Sequence, residues 1–530
     1  MIRNSKKIQL GILILLFILT LWLFFSESEI TNSPLDNSTI NFSTEFSGNG
    51  KLSIDTFYSF ESDHLQLAMT PRDHAQSGSK IVPHSFPWIY VIYGTGISLI
   101  GRDFYRLINI ISWLLMISIL YELISKIVKK RDITLLPLIF VVFYPPLLLY
   151  VTKSYNPIIL TLFFVSLFIF LLYKVLLRYS PQALFLLIFF SLIILLMRYD
   201  WLIVLLPPCI IVFIKYYKKV FSSPKLVLSI FLICFIILFF IFQINRTLYG
   251  EPFKIGYMVS EQIRKQTADD NNFQDTKLIN YEIVPSVILS QLKSNFRIIE
   301  AFLLCAGIYF LYSVKKSKQS ILVIIFLVSP HLFLLFTNLS RKTHGFDKYV
   351  LNSSFLKYNI ILLVIIIVIG GLGVSKIKSQ SIKAFVGVIV SLLSIVTLLN
   401  ATEGVVFSYL YRESRLFEYQ EVVIANSAFD EIIITDKFDK IIYPNRSIMN
   451  LTYLSEPERT NHLTEYFWDS QPEASSLYES INEILKFHSI VMVEIEQYEE
   501  LDELVSLLLQ QDIKVDIFKD RGNVLMRILK

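Results

Sequence analysis

Between Glu61 and His84 the sequence gathers Glu61, Asp63, His64, Arg72, Asp73, His74, Lys80 and His84 into one polar stretch. Carboxylates and imidazoles in such company suit proton transfer, because an Asp or Glu held beside a hydroxyl takes its proton as the oxygen attacks. A second set, Arg106, Lys153, Arg198, Asp200, Arg246, Arg297, Lys348 and Lys357, lies at the ends of apolar runs. Arg and Lys bind phosphate oxygens through charge-assisted hydrogen bonds, so the cations of this set, Asp200 apart, suit an anionic ligand such as a lipid phosphate. Each set also has a plainer reading. The first is a solvated loop, and the second is a row of side chains snorkelling to lipid headgroups.

The elements that must position these groups are set by composition. Of 530 residues, 54% are hydrophobic and 14% aromatic, whereas about half of a soluble chain is apolar even with Gly counted. A span needs about 20 apolar residues, because each backbone polar group must find its partner inside the segment. About eleven such spans are expected, at 8–25, 104–125, 133–151, 157–173, 182–197, 201–214, 226–244, 298–314, 320–337, 355–374 and 382–400. The first reads as an anchor, since no small-residue cleavage site follows Phe25.

Basic residues orient the chain. A cytoplasmic N-terminus makes 1–7, 126–132, 174–181, 215–225, 315–319 and 375–381 inside segments, and Asp132 is the sole acid among them. Lys129, Lys130 and Arg131, or Lys215, Lys218 and Lys219, then supply the basic excess that short inner loops carry. The stretch from Phe86 to Ile100 is left out of the count because a span there would put the Lys126–Arg131 cluster outside. Its shortness, Gly94 and Gly96 suit a helix on the membrane surface. The net charge of +5 is split into short clusters between apolar runs, which excludes a nucleic-acid face. Cys209, Cys234 and Cys305 fall in apolar segments without zinc spacing.

After Asn400 charge rises and the pattern changes. Glu431–Thr435, Ile490–Ile495, Lys514–Phe518 and Val524–Leu529 read as strands, and Ser476–Phe487 and Tyr498–Gln510 as helices. The expected fold is therefore an α-helical polytopic membrane protein. Residues 1–400 form the transmembrane domain, with an extracytoplasmic first loop at 26–103, and 401–530 form an extracytoplasmic α/β domain of Rossmann-like outline. No Gly-rich phosphate loop indicates a nucleotide.

The run Glu61-Ser62-Asp63-His64, then Pro83-His84-Ser85-Phe86-Pro87 and the helix ending Leu99-Ile100-Gly101, resembles the C-type glycosyltransferases. More narrowly it is similar to their family 39-like branch of protein mannosyltransferases and aminoarabinose transferases. Arg106 at the second span, Arg198 at the fifth and Asn245-Arg246 through Gly250 after the seventh fit the same order. The resemblance implies a GT-C fold over about residues 8–375. It also implies transfer of a sugar from a polyprenyl- or dolichyl-phosphate donor to a protein, lipid or glycan acceptor. By resemblance Asp63 is the general base, with Glu61 and His64 assisting, while His84, Arg106, Lys153, Arg198, Arg246, Lys348 and Tyr349 bind the substrate. His64 stands where a second carboxylate is usual; Asn156 stands where many relatives carry Asp, which weighs against the divalent metal the resemblance would allow, and no other cofactor is assigned. The rival readings are a transporter or lipid-linked sugar flippase, disfavoured by span interiors almost free of charge, and a membrane scaffold whose C-terminal domain binds a partner.

Overall fold

The structure is a computed structural model. It describes residues 34–55, most of 74–142, 157–198, most of 201–259, 305–308, most of 364–399 and, with gaps, 418–529, plus a few single positions. The expected spans at 8–25 and 320–337 lie outside the described residues. The chain divides into two compact units: 1–27, 102–239 and 277–410 in the first, and 28–101, 240–276 and 411–530 in the second.

In chain order the described elements begin with α1 (Pro34–Asn49), β1 (Ile54–Asp55), β2 (His74–Ser77), β3 (Lys80–Pro83) and α2 (Pro87–Ile100). A helical series follows: α3 (Phe104–Val128), α4 (Arg131–Val142), α5 (Ile158–Leu177), α6 (Pro181–Met197), α7 (Leu202–Phe221), α8 (Pro224–Tyr249) and α9 (Gln380–Leu399). The C-terminal elements are β4 (Ile432–Thr435), β5 (Ser447–Asn450), α10 (Ala474–Ile484), β6 (Ile490–Val493), α11 (Leu501–Gln510), β7 (Lys514–Asp520) and β8 (Asn523–Leu529).

Leu107–Lys126, Ile158–Leu177 and Pro224–Tyr249 are long and apolar enough to cross a membrane. The local signals are ordinary helix chemistry. Ser180 caps α6 by accepting from the Ala183 amide at 3.4 Å, and Pro181 takes the first helical position, where a missing N–H costs nothing. Several helices outrun their apolar stretches. The expected span 201–214 becomes α7, ending at Phe221 beyond Lys215, Lys218 and Lys219, and 226–244 becomes α8, ending at Tyr249. A polar turn at a helix end completes more backbone hydrogen bonds than the apolar count alone registers. The pair Pro207–Pro208 lies inside α7 without ending it.

The core of the first unit is built from Trp113, Met116 and Ile124 of α3, Ile159, Phe168 and Val175 of α5, and Leu187 and Ile194 of α6. Leu228, Phe231, Leu232 and Phe235 of α8 stay exposed, an apolar face suited to lipid rather than water. Among the described residues of this unit, two glycines permit close approaches. A Cβ at Gly373 would stand 1.8 Å from the Ala306 carbonyl oxygen, and one at Gly371 would stand 2.6 Å from Pro137 Cα. Small residues let backbones approach where no hydrophobic effect drives helices together.

In the second unit, the described part of the first loop is structured. α1 and α2 run parallel, joined by Ser38 Oγ to Tyr90 Oη at 3.1 Å near one end and Ser98 Oγ to Ser47 Oγ at 3.1 Å near the other. Between them a Cβ on Gly94 would meet the Ser43 carbonyl oxygen and Phe46 Cδ1, each at 2.8 Å. The helix expected at Phe86–Ile100 is thus α2, with Ile89, Tyr90 and Tyr93 buried. α1 was not foreseen: its Ser, Thr and Asn content reads as turn sequence. β1, β3 and β2 form a small antiparallel sheet in that order.

The C-terminal sheet has the order β5-β4-β6-β8-β7. The expected Rossmann-like outline needs correction. β4 is parallel to β5 and β6, but β8 is antiparallel to β6 and β7, so the sheet is mixed. The reason is local: Arg521 and Gly522, at φ 47° and 87°, close a two-residue turn between β7 and β8, and such a turn returns the chain antiparallel. Ile432, Ile434, Ile490, Met492, Met526 and Ile528 share one core with Leu477 and Ile481 of α10 and Leu504 and Leu508 of α11.

The glycine contacts make a stability prediction. Gly373→Val places a branched side chain where even one carbon does not fit, and overpacking costs about 1–3 kcal/mol or more. The thermal midpoint of the detergent-purified protein should fall by several degrees relative to a Gly48→Ala control, whose site has nothing within 4 Å. An unchanged midpoint would refute the close packing.

Candidate functional site

Asp63, Glu61, His64, Lys153, Lys348 and Tyr349 lie outside the described residues. The four remaining candidates divide between the units: Arg106 and Arg198 in the first, His84 and Arg246 in the second.

Arg106 belongs to the first turn of α3, just after Asp103. A helix N-terminus carries partial positive charge, which disfavours a cation there but makes the turn receptive to an anion. Arg198 ends α6 in extended conformation, its amide bonded to the Ile194 carbonyl at 2.8 Å, and it is only 9% exposed. A guanidinium so buried requires acceptors, since removing its hydration uncompensated is costly.

His84 is buried at the end of β3. Its segment is held from the α8 side, where Tyr249 Oη donates to the Pro83 carbonyl at 2.8 Å. A Cβ at Gly256 would come within 2.2 Å of that oxygen and 2.5 Å of the His84 oxygen, so the backbone there packs directly on Pro83–His84. Arg246 lies one turn before Tyr249, exposed in the last turn of α8. Its carbonyl accepts the Gly250 amide at 3.0 Å, Gly250 has φ +83°, and Asn245 Nδ2 donates to the Pro252 carbonyl at 3.3 Å. The Asn245-Arg246 to Gly250 motif is therefore a helix stop that sets where α8 turns toward His84.

The described part of the acidic first-loop stretch is less open than a solvated loop. Lys80 is exposed, but His74 is buried. Asn41 Nδ2 meets His74 Nε2 at 3.4 Å. An amide N–H2 only donates, so this pairing leaves the imidazole proton on Nδ1. Phe42 and Tyr443 flank the ring with centroids at 5.0 and 5.6 Å. Burial pushes the Tyr443 hydroxyl well above its ordinary pKa, and the nearby Glu45 carboxylate pushes the same way. His74 thereby joins α1 and β2 to the segment preceding β5.

A second junction was invisible to motif reading. Leu65 and Met69 are 0% and 4% exposed and belong to the same core as β4, β6, β8, α10 and α11. The Met69 amide bonds the Leu65 carbonyl at 3.3 Å, one helical turn apart. Their spacing, Leu then Met four residues later, is the only sequence signal, and it is too short to stand out beside the spans.

The solved structures that share this architecture show the fold: the chain has the C-type glycosyltransferase fold, with helices long and apolar enough to cross a membrane. It is similar to ArnT from Cupriavidus metallidurans bound to undecaprenyl phosphate, with a TM-score of 0.56, 10% identity and 98% of each chain covered. Against the apo state of the same protein the TM-score is 0.51, again at 10% identity and 98% of each chain. No protein-family model matches the sequence, and no curated protein does.

Removing the Tyr249 hydroxyl tests the His84 frame. Tyr249→Phe leaves the buried Pro83 carbonyl without this donor, a loss of about 1–2 kcal/mol, seen as a lowered thermal midpoint with faster hydrogen exchange near residue 84. Wild-type exchange in that peptide would show that the bond does not hold the segment.

Proposed function

We propose that the chain is a membrane glycosyltransferase that moves a sugar from a polyprenyl-phosphate donor to an acceptor hydroxyl on the extracytoplasmic side. The supporting observation is the end-to-end fold likeness to ArnT, a protein solved with undecaprenyl phosphate bound. The reading takes the N-terminus as cytoplasmic and the first loop and C-terminal region as extracytoplasmic.

Asp63 removes the proton from the acceptor hydroxyl, aided by Glu61 or His64. The oxygen attacks the anomeric carbon from the face opposite the phosphate, the carbon–oxygen bond to phosphate breaks, and its electron pair leaves with the lipid phosphate. One displacement inverts the anomeric configuration. Arg106, Lys153, Arg198, Arg246 and Lys348 neutralise charge as it develops on the departing phosphate, which counts only where it exceeds their grip on the donor itself. Buried Arg198 suits this best, because a desolvated cation acts more strongly than one in water. His84 and Tyr349 complete the substrate contacts.

The purified protein is incubated with a panel of synthetic undecaprenyl-phosphate monosaccharides and membrane extract, and release of undecaprenyl phosphate is followed. Wild type turns over at least one donor, and Asp63→Asn loses about 10²–10⁴-fold of that rate with an unchanged thermal midpoint. A folded Asp63→Asn variant with full activity would falsify the base assignment. Labelled donor that crosses proteoliposome membranes without glycosidic product would replace the transferase reading with the flippase one.

A further inference from the structure

We infer that Leu65 and Met69 are positioning residues that moor the loop carrying Asp63 to the core of the C-terminal α/β region. This inference rests on the reading of Asp63 as the base.

Leu65 directly follows His64 and is separated from Asp63 by that residue alone. Its side chain is 0% exposed, packed in a core whose other members come from β4–β6, β8, α10, α11 and neighbouring segments. Consecutive Cα atoms stand about 3.8 Å apart, so a fixed Leu65 confines Asp63 to a sphere of roughly 7 Å radius. Met69, a helical turn on, is buried in the same core and hydrogen-bonded back to Leu65, so the mooring is two-point and also limits rotation. Farther along the loop, His74 is held against Tyr443 and Asn41. The loop is thus tied to C-terminal residues at Leu65, Met69 and His74, and the first tie lies beside the candidate base.

A base must sit within hydrogen-bond reach of the acceptor hydroxyl, and about 1 Å of misplacement can cost on the order of 100-fold in rate. A small α/β region with no nucleotide loop has a reason to be fused to a membrane transferase if its core holds that geometry. Leu65 and Met69 touch no reacting atom, so they act through position.

The test compares Leu65→Ala with Leu508→Ala, which removes a fully buried side chain of the same core on α11, far in sequence from Asp63. Two readouts are taken on the full-length protein in detergent. The first is hydrogen exchange of the peptide covering 56–73. The second is kcat and KM on whichever undecaprenyl-phosphate sugar the wild type turns over. The inference expects Leu65→Ala to speed exchange and to lower kcat about 10- to 100-fold with KM within about threefold. Leu65→Met should restore most of the rate, and Leu508→Ala should do neither at a comparable thermal midpoint. If Leu65→Ala does not fold, Leu65→Val and Met69→Ala carry the same comparison. Unchanged exchange or unchanged kcat overturns the inference, and so does an equal loss in Leu508→Ala. Asp63→Asn separates the two ideas: if it is inactive while Leu65→Ala is fully active, the base assignment stands and the mooring falls. If Asp63→Asn is active, the base reading falls with everything built on it.

Discussion

A peptide group without a hydrogen-bond partner is several kcal/mol less stable in hydrocarbon than in water, and this constraint dictates where each kind of structure appears in the chain. Apolar runs have one local solution, the helix, and α3, α5 and α8 adopt it. Strands leave edges that need a neighbour or water. The described strands belong to the second unit, beside the polar first loop and the C-terminal residues. Within the first unit, glycines replace bulky side chains at the tightest crossings, because packing rather than water exclusion must hold helices together among lipids.

The second unit answers a different problem. Its first-loop part offers short strands and a pair of helices whose contact is partly polar, through Ser38, Tyr90, Ser47 and Ser98. The same pair buries Phe42, Ile89, Tyr90 and Tyr93. The C-terminal sheet adds a second core. Leu65 and Met69 enter its core on one side, and Tyr443 packs on His74 elsewhere. The C-terminal network is internally braced as well. Arg527 pairs with Glu431 at 3.0 Å and donates to the Asn426 carbonyl at 2.7 Å, while Arg446 donates to the Ile424 and Ser427 carbonyls at 3.0 Å. Arg446 thereby closes the C-terminal end of the helical turns at 418–425, where unpaired carbonyls collect.

Much of this was legible in the residues. The strands expected from Glu431, Ile490, Lys514 and Val524 begin within a residue of β4, β6, β7 and β8, since runs of Ile, Val and Met bounded by turn residues leave little ambiguity. α2 was legible because its apolar run is bounded by Pro87 and Gly101. The missed elements are α1, the short strands β1, β2 and β3, and β5; α1 is rich in Ser, Thr and Asn and the strands are two to four residues long, so they exist through tertiary contacts that outweigh local preference. The candidate site divides in the same way. His74 and His84 could be picked out as chemically able residues, but their burial depends on Asn41, Tyr443 and Tyr249, none close in sequence to the residue it contacts.

That division bears on how the proposed base, Asp63, would gain precision. A carboxylate on a long solvated loop samples many positions, and each unproductive one subtracts from the rate. Shortening the free segment is the cheapest remedy, and it requires apolar side chains near the carboxylate together with a core for them to enter. Among the described residues, the first loop has such side chains in Leu65 and Met69, and both are buried in the C-terminal core rather than with Phe42, Ile89, Tyr90 and Tyr93 of α1 and α2. The core they enter comes from elsewhere in the chain: the C-terminal sheet, with α10 and α11, accepts both residues at almost complete burial. On this argument the distance in sequence between the loop and the sheet matters little, because loop closure costs grow only logarithmically with length, whereas a fixed point two residues from the proposed base would act on every turnover.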